Sequence, residues 1–233
     1  MKRLRDRTGA RAGHTGTLDP FATGLLLVLL GSATRLAQYL VGLDKRYVTE
    51  VDLSARTSTG DREGEVVERL EPPGLEELGE RLARLRGEIE LRVPAVSALK
   101  VGGERAYRLA RRGVAVEMPM RQSTVRTLTL GGYDGRLASL DLAVSSGTYV
   151  RAIADALGGH CVALRRLEVG PFAVEDADDE RILPAAEALP FLPAREVSEE
   201  EAGAIRQGRR RHEEAVRLVH RGELVAVDGT VLP

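Results

Sequence analysis

At 233 residues the chain is long enough for one large domain with a real core, or for one domain and a small appendage, and its formal net charge of −1 averages over an uneven distribution. A single cysteine, Cys161, excludes an internal disulfide framework, and four scattered histidines with no Cys-x-x-Cys pair offer no metal-binding pattern. No apolar run approaches the roughly 18 residues needed to cross a bilayer, and the N-terminal residues lack the apolar centre of a signal peptide, so a cytoplasmic protein is expected.

Residues 1–13 carry five basic side chains against one acidic. They lead into GHTGTLDPFATG, residues 13–24, where three glycines and an Asp-Pro pair disfavour both helix and central strand. The stretch reads as a shaped loop that displays His14, Thr15, Thr17 and Asp19. The apolar run LLLVLLG at 25–31 predicts a strand buried on both faces. SATRLAQYLVG opens with a serine able to cap a helix and ends at Gly42, which predicts a short helix. In KRYVTEVDLS, Tyr47, Thr49, Val51 and Leu53 alternate with Val48, Glu50 and Asp52, the period of a strand.

EPPG at 71–74 marks a turn, and the following helix carries Leu75, Leu78, Leu82 and Leu85 at the spacing of a core stripe. VPAVSALKVGG reads as strand and turn, and ERAYRLARRG as a basic helix. Residues 100–126 hold seven basic side chains against two acidic, Lys100, Arg111 and Arg112 among them. STVRTLTLGGYDGRLASLDLAVSSG reads as strand, turn, strand. TYVRAIADALGG then predicts a helix with Tyr149, Ile153 and Leu157 on one face and Arg151 near its start, and VALRRLEVGPF returns to strand. Residues 168–201 hold eleven carboxylates against two arginines, so positive potential is concentrated elsewhere, an asymmetry suited to a polyanionic partner. GELVAVDGTVLP alternates like a hairpin, with a boundary near residue 195.

Taken singly these residues have ordinary explanations. An Asp before Pro is usually a turn residue, Tyr47 and Leu164 would be core, Arg151 a helix-end charge, His14 a loop residue, and the basic segment a solvated face. Neither a Gly-rich Lys-Ser/Thr loop nor a dinucleotide fingerprint occurs, which argues against a generic phosphate-handling enzyme.

Their joint order resembles the bacterial tRNA pseudouridine-55 synthases of the TruB type. GHTGTLDPFATG is similar to that family's catalytic-aspartate loop and DKRYVTEVDL, residues 44–53, to its tyrosine-bearing strand. PAVSALKVGGERAYRLARRG is similar to the segment that grips the RNA arm, and SSGTYVRAIADALGG with ALRRLEVGPF to the arginine and leucine motifs lining the active site. The resemblance spans residues 11–174, with a weaker match in the C-terminal GRRR and ELVAVDG stretches.

The resemblance implies a mixed α/β fold of the α+β type, with a largely antiparallel central sheet and flanking helices. It implies a catalytic domain over 1–195 with an RNA-gripping thumb at 94–121, and a small, incomplete RNA-binding domain, PUA-like or of the TruB C-terminal type, over 196–233. It implies isomerisation of uridine 55 in the tRNA T-loop, by base flipping and without cofactor or metal, in a monomer that binds the T-arm. Asp19 would act as nucleophile or as base, Arg151 would pair with it, and Tyr47 would stack on the uracil. Leu164 would close the pocket, while His14, Thr17, Tyr149, Lys100, Arg111 and Arg112 would contact RNA. The rival is a non-catalytic RNA-binding or tRNA-folding module on the same fold. Three departures stand out: only twelve residues precede Gly13, where the family carries a further strand, the stretch between Arg151 and Leu164 is short, and the chain end looks clipped. An absent N-terminal strand and altered geometry around Arg151 are therefore expected.

Overall fold

The computed structural model describes residues 1–112, 114, 116–178, 180–209, 216–228 and 230–232. The chain is mixed α and β and forms two compact units, one of residues Asp19–Gly24 and Asp44–Glu168, the other of Met1–Leu18, Leu25–Leu43 and Val169–Pro233.

The first unit is built on one mixed sheet. Its elements in chain order are β1 (Thr23–Gly24), β2 (Lys45–Asp52), β3 (Ala55–Thr57), β4 (Val66–Arg69), α1 (Leu75–Arg84) and β5 (Gly87–Arg92). There follow β6 (Lys100–Val101), β7 (Glu104–Arg105), α2 (Ala106–Arg111), β8 (Met120–Tyr133), β9 (Leu137–Val144), α3 (Val150–Leu157) and β10 (His160–Val169). The sheet runs β10, β2, β9, β8, β5, with β1 alongside β10. The pairs β2–β9, β9–β8 and β8–β5 are antiparallel, whereas β1 lies parallel to β10. Two register shifts, at Val125/Thr127 and Leu130/Gly132, interrupt the long strand β8, the kind of irregularity that bends and twists a sheet.

The period-two pattern of β2 places Lys45, Tyr47, Thr49 and Val51 inward. One face of the sheet is closed by α1 and α3, whose Leu78, Leu82, Ile153 and Leu157 join Val51, Leu128, Leu140 and Leu142 in the main core. Leu75 departs from the predicted stripe and is 63% exposed. It is the first residue of α1, and a helical side chain leans toward the N-terminus, which carries it past the end of the packed surface. Between α3 and β10 the chain turns through Gly158 and Gly159 alone, which accounts for the short stretch noted in the sequence.

In the second unit, Ala12–His14 pairs with Val28–Leu30 as a two-stranded ribbon. The apolar run 25–31 is thus a three-residue strand outside the large sheet, with only Leu25 and Leu29 buried, because a ribbon covers far less side-chain surface than a central strand. The predicted short helix begins as a 3-10 turn, Gly31–Leu36, and continues as Ala37–Val41. Strands Ala194–Glu196, Arg217–His220, Glu223–Val227 and Thr230–Val231 form a separate sheet. Leu224, Val227 and Leu232 from it share a core with Leu29, Leu36 and Leu40. Helix Glu199–Arg206 is capped by Ser198, whose hydroxyl accepts from Glu201 N. Arg210 and Arg211 of the GRRR stretch lie outside the described residues.

Candidate active site

Three of the residues singled out in sequence meet in the larger unit. Asp19 precedes a proline in a segment that cannot join a helix, and the chain is turned there by a bond from Ala22 N to Asp19 O. Phe21 anchors that turn in the main core. The segment is then locked to β10 at β1, where Gly24 (φ +100°) lies directly on the Arg166 backbone. A Cβ at residue 24 would stand 2.8 Å from Arg166 N and closer still to its carbonyl oxygen, so glycine is required.

Arg151, in the first turn of α3, reaches Asp19 with a two-pronged contact: Nε donates to Oδ2 at 2.9 Å and Nη2 to Oδ1 at 2.8 Å. Nη1 donates to Thr59 O at 2.6 Å, and Nη2 also to Val96 O at 2.9 Å. A second carboxylate, Asp61, stands 3.7 Å from Nε. Burial works against the charged guanidinium, but hydrogen bonding to Asp19 and the charges of Asp19 and Asp61 outweigh it and raise the pKa above the ordinary arginine range. Arg151 is thus a permanent cation held in a low-dielectric setting, and its planar fork fixes the position of the Asp19 carboxylate.

Exposure separates the two carboxylates. Asp19 keeps 27% of its side-chain surface open, whereas Asp61 keeps 8% and is also tied to Thr59 Oγ1 at 2.6 Å and Glu63 N at 3.0 Å. A substrate can reach the first and not the second. Asp61 therefore serves to hold Arg151.

Tyr47 sits in the same core cluster as Phe21 and Leu164. Burial raises the pKa of its phenol, the charge and hydrogen bond of Arg166 act against that rise, and the nearby negative charge of Asp19 adds to it. The neutral phenol is therefore the resting form. Leu164 and Arg166 face the same side of β10 and are buried, while Arg165 between them is exposed. Lys45, two residues before Tyr47 and on the same face of β2, is buried as well and donates to Ser146 Oγ at 3.2 Å. Its pKa is lowered to about 8, first by burial and then by the charge of Arg166. Cys161, the one thiol, is buried and pushed up to about 12 by desolvation, which leaves it unreactive.

The remaining candidates are spread more widely. Tyr149 is the N-cap residue of α3, half-buried between the main core and the small cluster of Val93, Ala106 and Met118. Lys100 is exposed on β6. Arg112 is exposed but engaged with Glu104, with Nη1 and Nη2 donating at 2.8 and 2.9 Å, which reduces the charge it can offer a phosphate. The side chain of Arg111 lies outside the described residues. His14 and Thr17 belong to the smaller unit, His14 at the end of Ala12–His14, and both are exposed.

Sequence reasoning passed over Asp61, Thr59, Val96, Arg166 and Lys45. The stretch TSTGDREG carries two glycines around Asp61, a turn signal that could have drawn attention to it. Arg166 was accessible from strand parity with Leu164. Thr59 and Val96 meet Arg151 through main-chain carbonyls, for which no side-chain signature exists.

The same residues fall within a recognised family. The sequence model of the TruB family pseudouridylate synthase N-terminal domain matches residues 2–150. The chain belongs to this family. It is 42% identical over 236 residues to the tRNA pseudouridine synthase B of Leifsonia xyli subsp. xyli, covering 91% of this chain and 78% of that protein. It is 44% identical over 219 residues to the tRNA pseudouridine synthase B of Chromobacterium violaceum, covering 85% and 72%. Among solved structures, the fold is similar to a chain of a Cbf5-Nop10-Gar1 complex (TM-score 0.67, 22% identity, 97% of this chain and 71% of that one). It is equally similar to a chain of an H/ACA RNP bound to a substrate RNA containing 2′-deoxyuridine (TM-score 0.67, 20% identity, again 97% and 71%). Membership in the family accounts for the mixed central sheet, and no helix among the described residues is long and apolar enough to cross a membrane.

Proposed function

We propose that this chain is a tRNA pseudouridine synthase that converts uridine 55 of the T-loop to pseudouridine. The single observation that carries the reading is a reachable carboxylate, Asp19, gripped at 2.8 and 2.9 Å by a buried arginine beside a buried tyrosine. The reaction breaks the N1–C1′ bond of uridine and joins C1′ to C5. The C5 proton departs and N1 gains one, so the product is an isomer and no redox partner enters. An ionised Asp19 serves either as nucleophile at a uracil or ribose carbon, or as base at the sugar. Arg151 keeps its carboxylate aimed. Tyr47 supplies a face for the extruded base and a hydroxyl near C5, while Leu164 and Phe21 exclude water and strengthen the Asp19–Arg151 interaction.

The substrate arm is the T-stem and loop, met by the basic residues of the 94–121 segment, with His14 and Thr17 on the loop side and residues 196–233 as an accessory RNA-binding element. The working form is a cytoplasmic monomer. Incubation with an unmodified T-arm hairpin, followed by chemical mapping of pseudouridine, tests this reading. Wild type should convert the uridine, and Asp19→Asn, which keeps size and loses only ionisation, should bind the hairpin and leave it unmodified. Hairpin binding without product in the wild type would favour the non-catalytic RNA-binding alternative, and appreciable product from Asp19→Asn would remove Asp19 from the chemistry.

A further inference from the structure

Ser97 carries a buried group that the chemistry at Asp19 leaves unused. The residue is 5% exposed, and its hydroxyl has no hydrogen-bond partner among the described residues. A hydroxyl taken out of water without a partner raises the energy of the free protein, and Ala would occupy the same place without that cost. Buried hydroxyls are nearly always satisfied, so one that is not calls for a reason, and a partner that arrives with a ligand is such a reason.

The position of Ser97 shows where that partner arrives. Residues 93–99, between β5 and β6, form neither strand nor helix, and Ser97 lies one peptide unit from Val96 O, which accepts from Arg151 Nη2 at 2.9 Å. The same nitrogen donates to Asp19 Oδ1 at 2.8 Å, so Ser97 adjoins the Asp19 end of the site. Toward the thumb, Ser97 O accepts from Tyr107 N at 3.1 Å and Leu99 O from Ala106 N at 2.8 Å, which ties the segment to the start of α2. The backbone of Ser97 is thus held between the guanidinium and the thumb helix, while its side chain is held by nothing polar. Ala95 and Ala98 on either side are exposed and carry only a methyl each, so a small shift of this bend uncovers the hydroxyl.

The surroundings narrow the chemistry of the partner. Val93, Ala106 and Met118 form a small apolar core at this segment, with Leu99 and Val101 packed against it. An anion brought to such a surface needs a paired cation, whereas a neutral hydroxyl needs only one group able to donate and accept. A ribose 2′-hydroxyl has both capacities, and it is the group by which a protein tells RNA from DNA. In the proposed reaction Tyr47 carries the base and Asp19 works at the glycosidic bond, so a hydroxyl on the Asp19 side meets sugar rather than base.

We propose that the Ser97 hydroxyl receives a ribose 2′-hydroxyl, that of the nucleotide delivered to Asp19 or of its immediate neighbour, and thereby selects RNA over DNA at that position. The contact forms only in the complex, which is why the hydroxyl is unpartnered in the free protein. This rests on the proposed function, and the test reads binding so that the two can fail separately.

T-arm hairpins with 2′-deoxyribose at the target uridine, or at the nucleotide on either side of it, are titrated against wild type and Ser97→Ala. Wild type should lose about fivefold in affinity at one of the three positions, the size of one neutral hydrogen bond. Ser97→Ala should bind the all-ribose hairpin about fivefold more weakly and lose nothing further from 2′-deoxyribose at that position. Penalties that multiply at all three positions would overturn the proposal, as would a wild type indifferent to all three. Thermal unfolding of the free proteins gives an independent reading. Ser97→Ala should melt at or above the wild-type temperature, and a lower midpoint would show the hydroxyl already satisfied in the free protein and overturn the proposal. A wild type that shows the coupling in binding but forms no pseudouridine refutes the proposed function and sustains the ribose contact.

Discussion

Replacing Arg151 by Met keeps the length of the side chain and removes all four donated hydrogen bonds, two to Asp19 and one each to Thr59 O and Val96 O. The losses differ in kind. Asp19, 27% open, can be rehydrated and contributes little to the cost. Asp61, 8% open, keeps its bonds from Thr59 and Glu63 but loses the charge opposite it, and two carbonyl oxygens lose a strong donor. Breaking a buried pair by deleting one partner typically costs about 3–5 kcal/mol, a large part of a total of roughly 5–15 kcal/mol for a domain. The variant should therefore fold only marginally. Urea unfolding followed by far-UV circular dichroism gives the loss directly. Arg151→Lys should recover part of it, since the charge returns without the planar fork. The informative control is the double variant Arg151→Met with Asp61→Asn, in which the stranded charge is gone. Its loss should fall short of the sum of the two single losses by about 1–3 kcal/mol, the size expected for contacting residues. A loss below about 1 kcal/mol in Arg151→Met, or strict additivity in the double variant, would refute the idea that Asp61 and Asp19 are held through this guanidinium.

Gly24→Ala should destabilise by more than about 2 kcal/mol and lower hairpin turnover in the surviving folded fraction, because the added methyl meets the Arg166 backbone at a positive φ of +100°; a wild-type melting temperature would contradict that packing. Lys45 predicts a pH dependence of stability: its folded pKa of about 8 lies below the unfolded value near 10.5, so the unfolded chain binds more protons between them and stability rises with pH across that window. The gain attributable to Lys45 should be about 2–3 kcal/mol, measured as wild type minus Lys45→Met from pH 7 to 10.5, and a flat difference would exclude the shift. Ser97 is buried with its hydroxyl unpartnered, so Ser97→Ala should leave the unfolding midpoint unchanged or raise it slightly, and a loss of about 1 kcal/mol or more would mean that the hydroxyl is satisfied by a bound water.

The sequence alone determined the chemical cast. A loop of glycines and an Asp-Pro pair has few backbone options, so the Asp19 segment declares itself without tertiary context. The alternation around Tyr47 and the apolar spacing around Ile153 specify strand and helix through their own periods, and with them the inward side of Tyr47 and the place of Arg151 at a helix start. Local pattern was weaker where burial depends on what lies across from a segment. The run 25–31 is apolar enough for a central strand, yet it pairs with a single short strand, and Leu75 follows the helical period yet overhangs the packed surface. Tertiary structure alone decided how the site is held. Arg151 and Asp19 are 132 residues apart, and the guanidinium is fixed by carbonyl oxygens of Thr59 and Val96, which every residue possesses and no side chain announces. Lys45 and Arg166 read as ordinary surface charges until the sheet brings β2 and β10 together and buries both. Periodicity fixes which way a residue faces along its own element, whereas charge, desolvation and hydrogen bonding depend on the elements it faces, and only the folded chain supplies those.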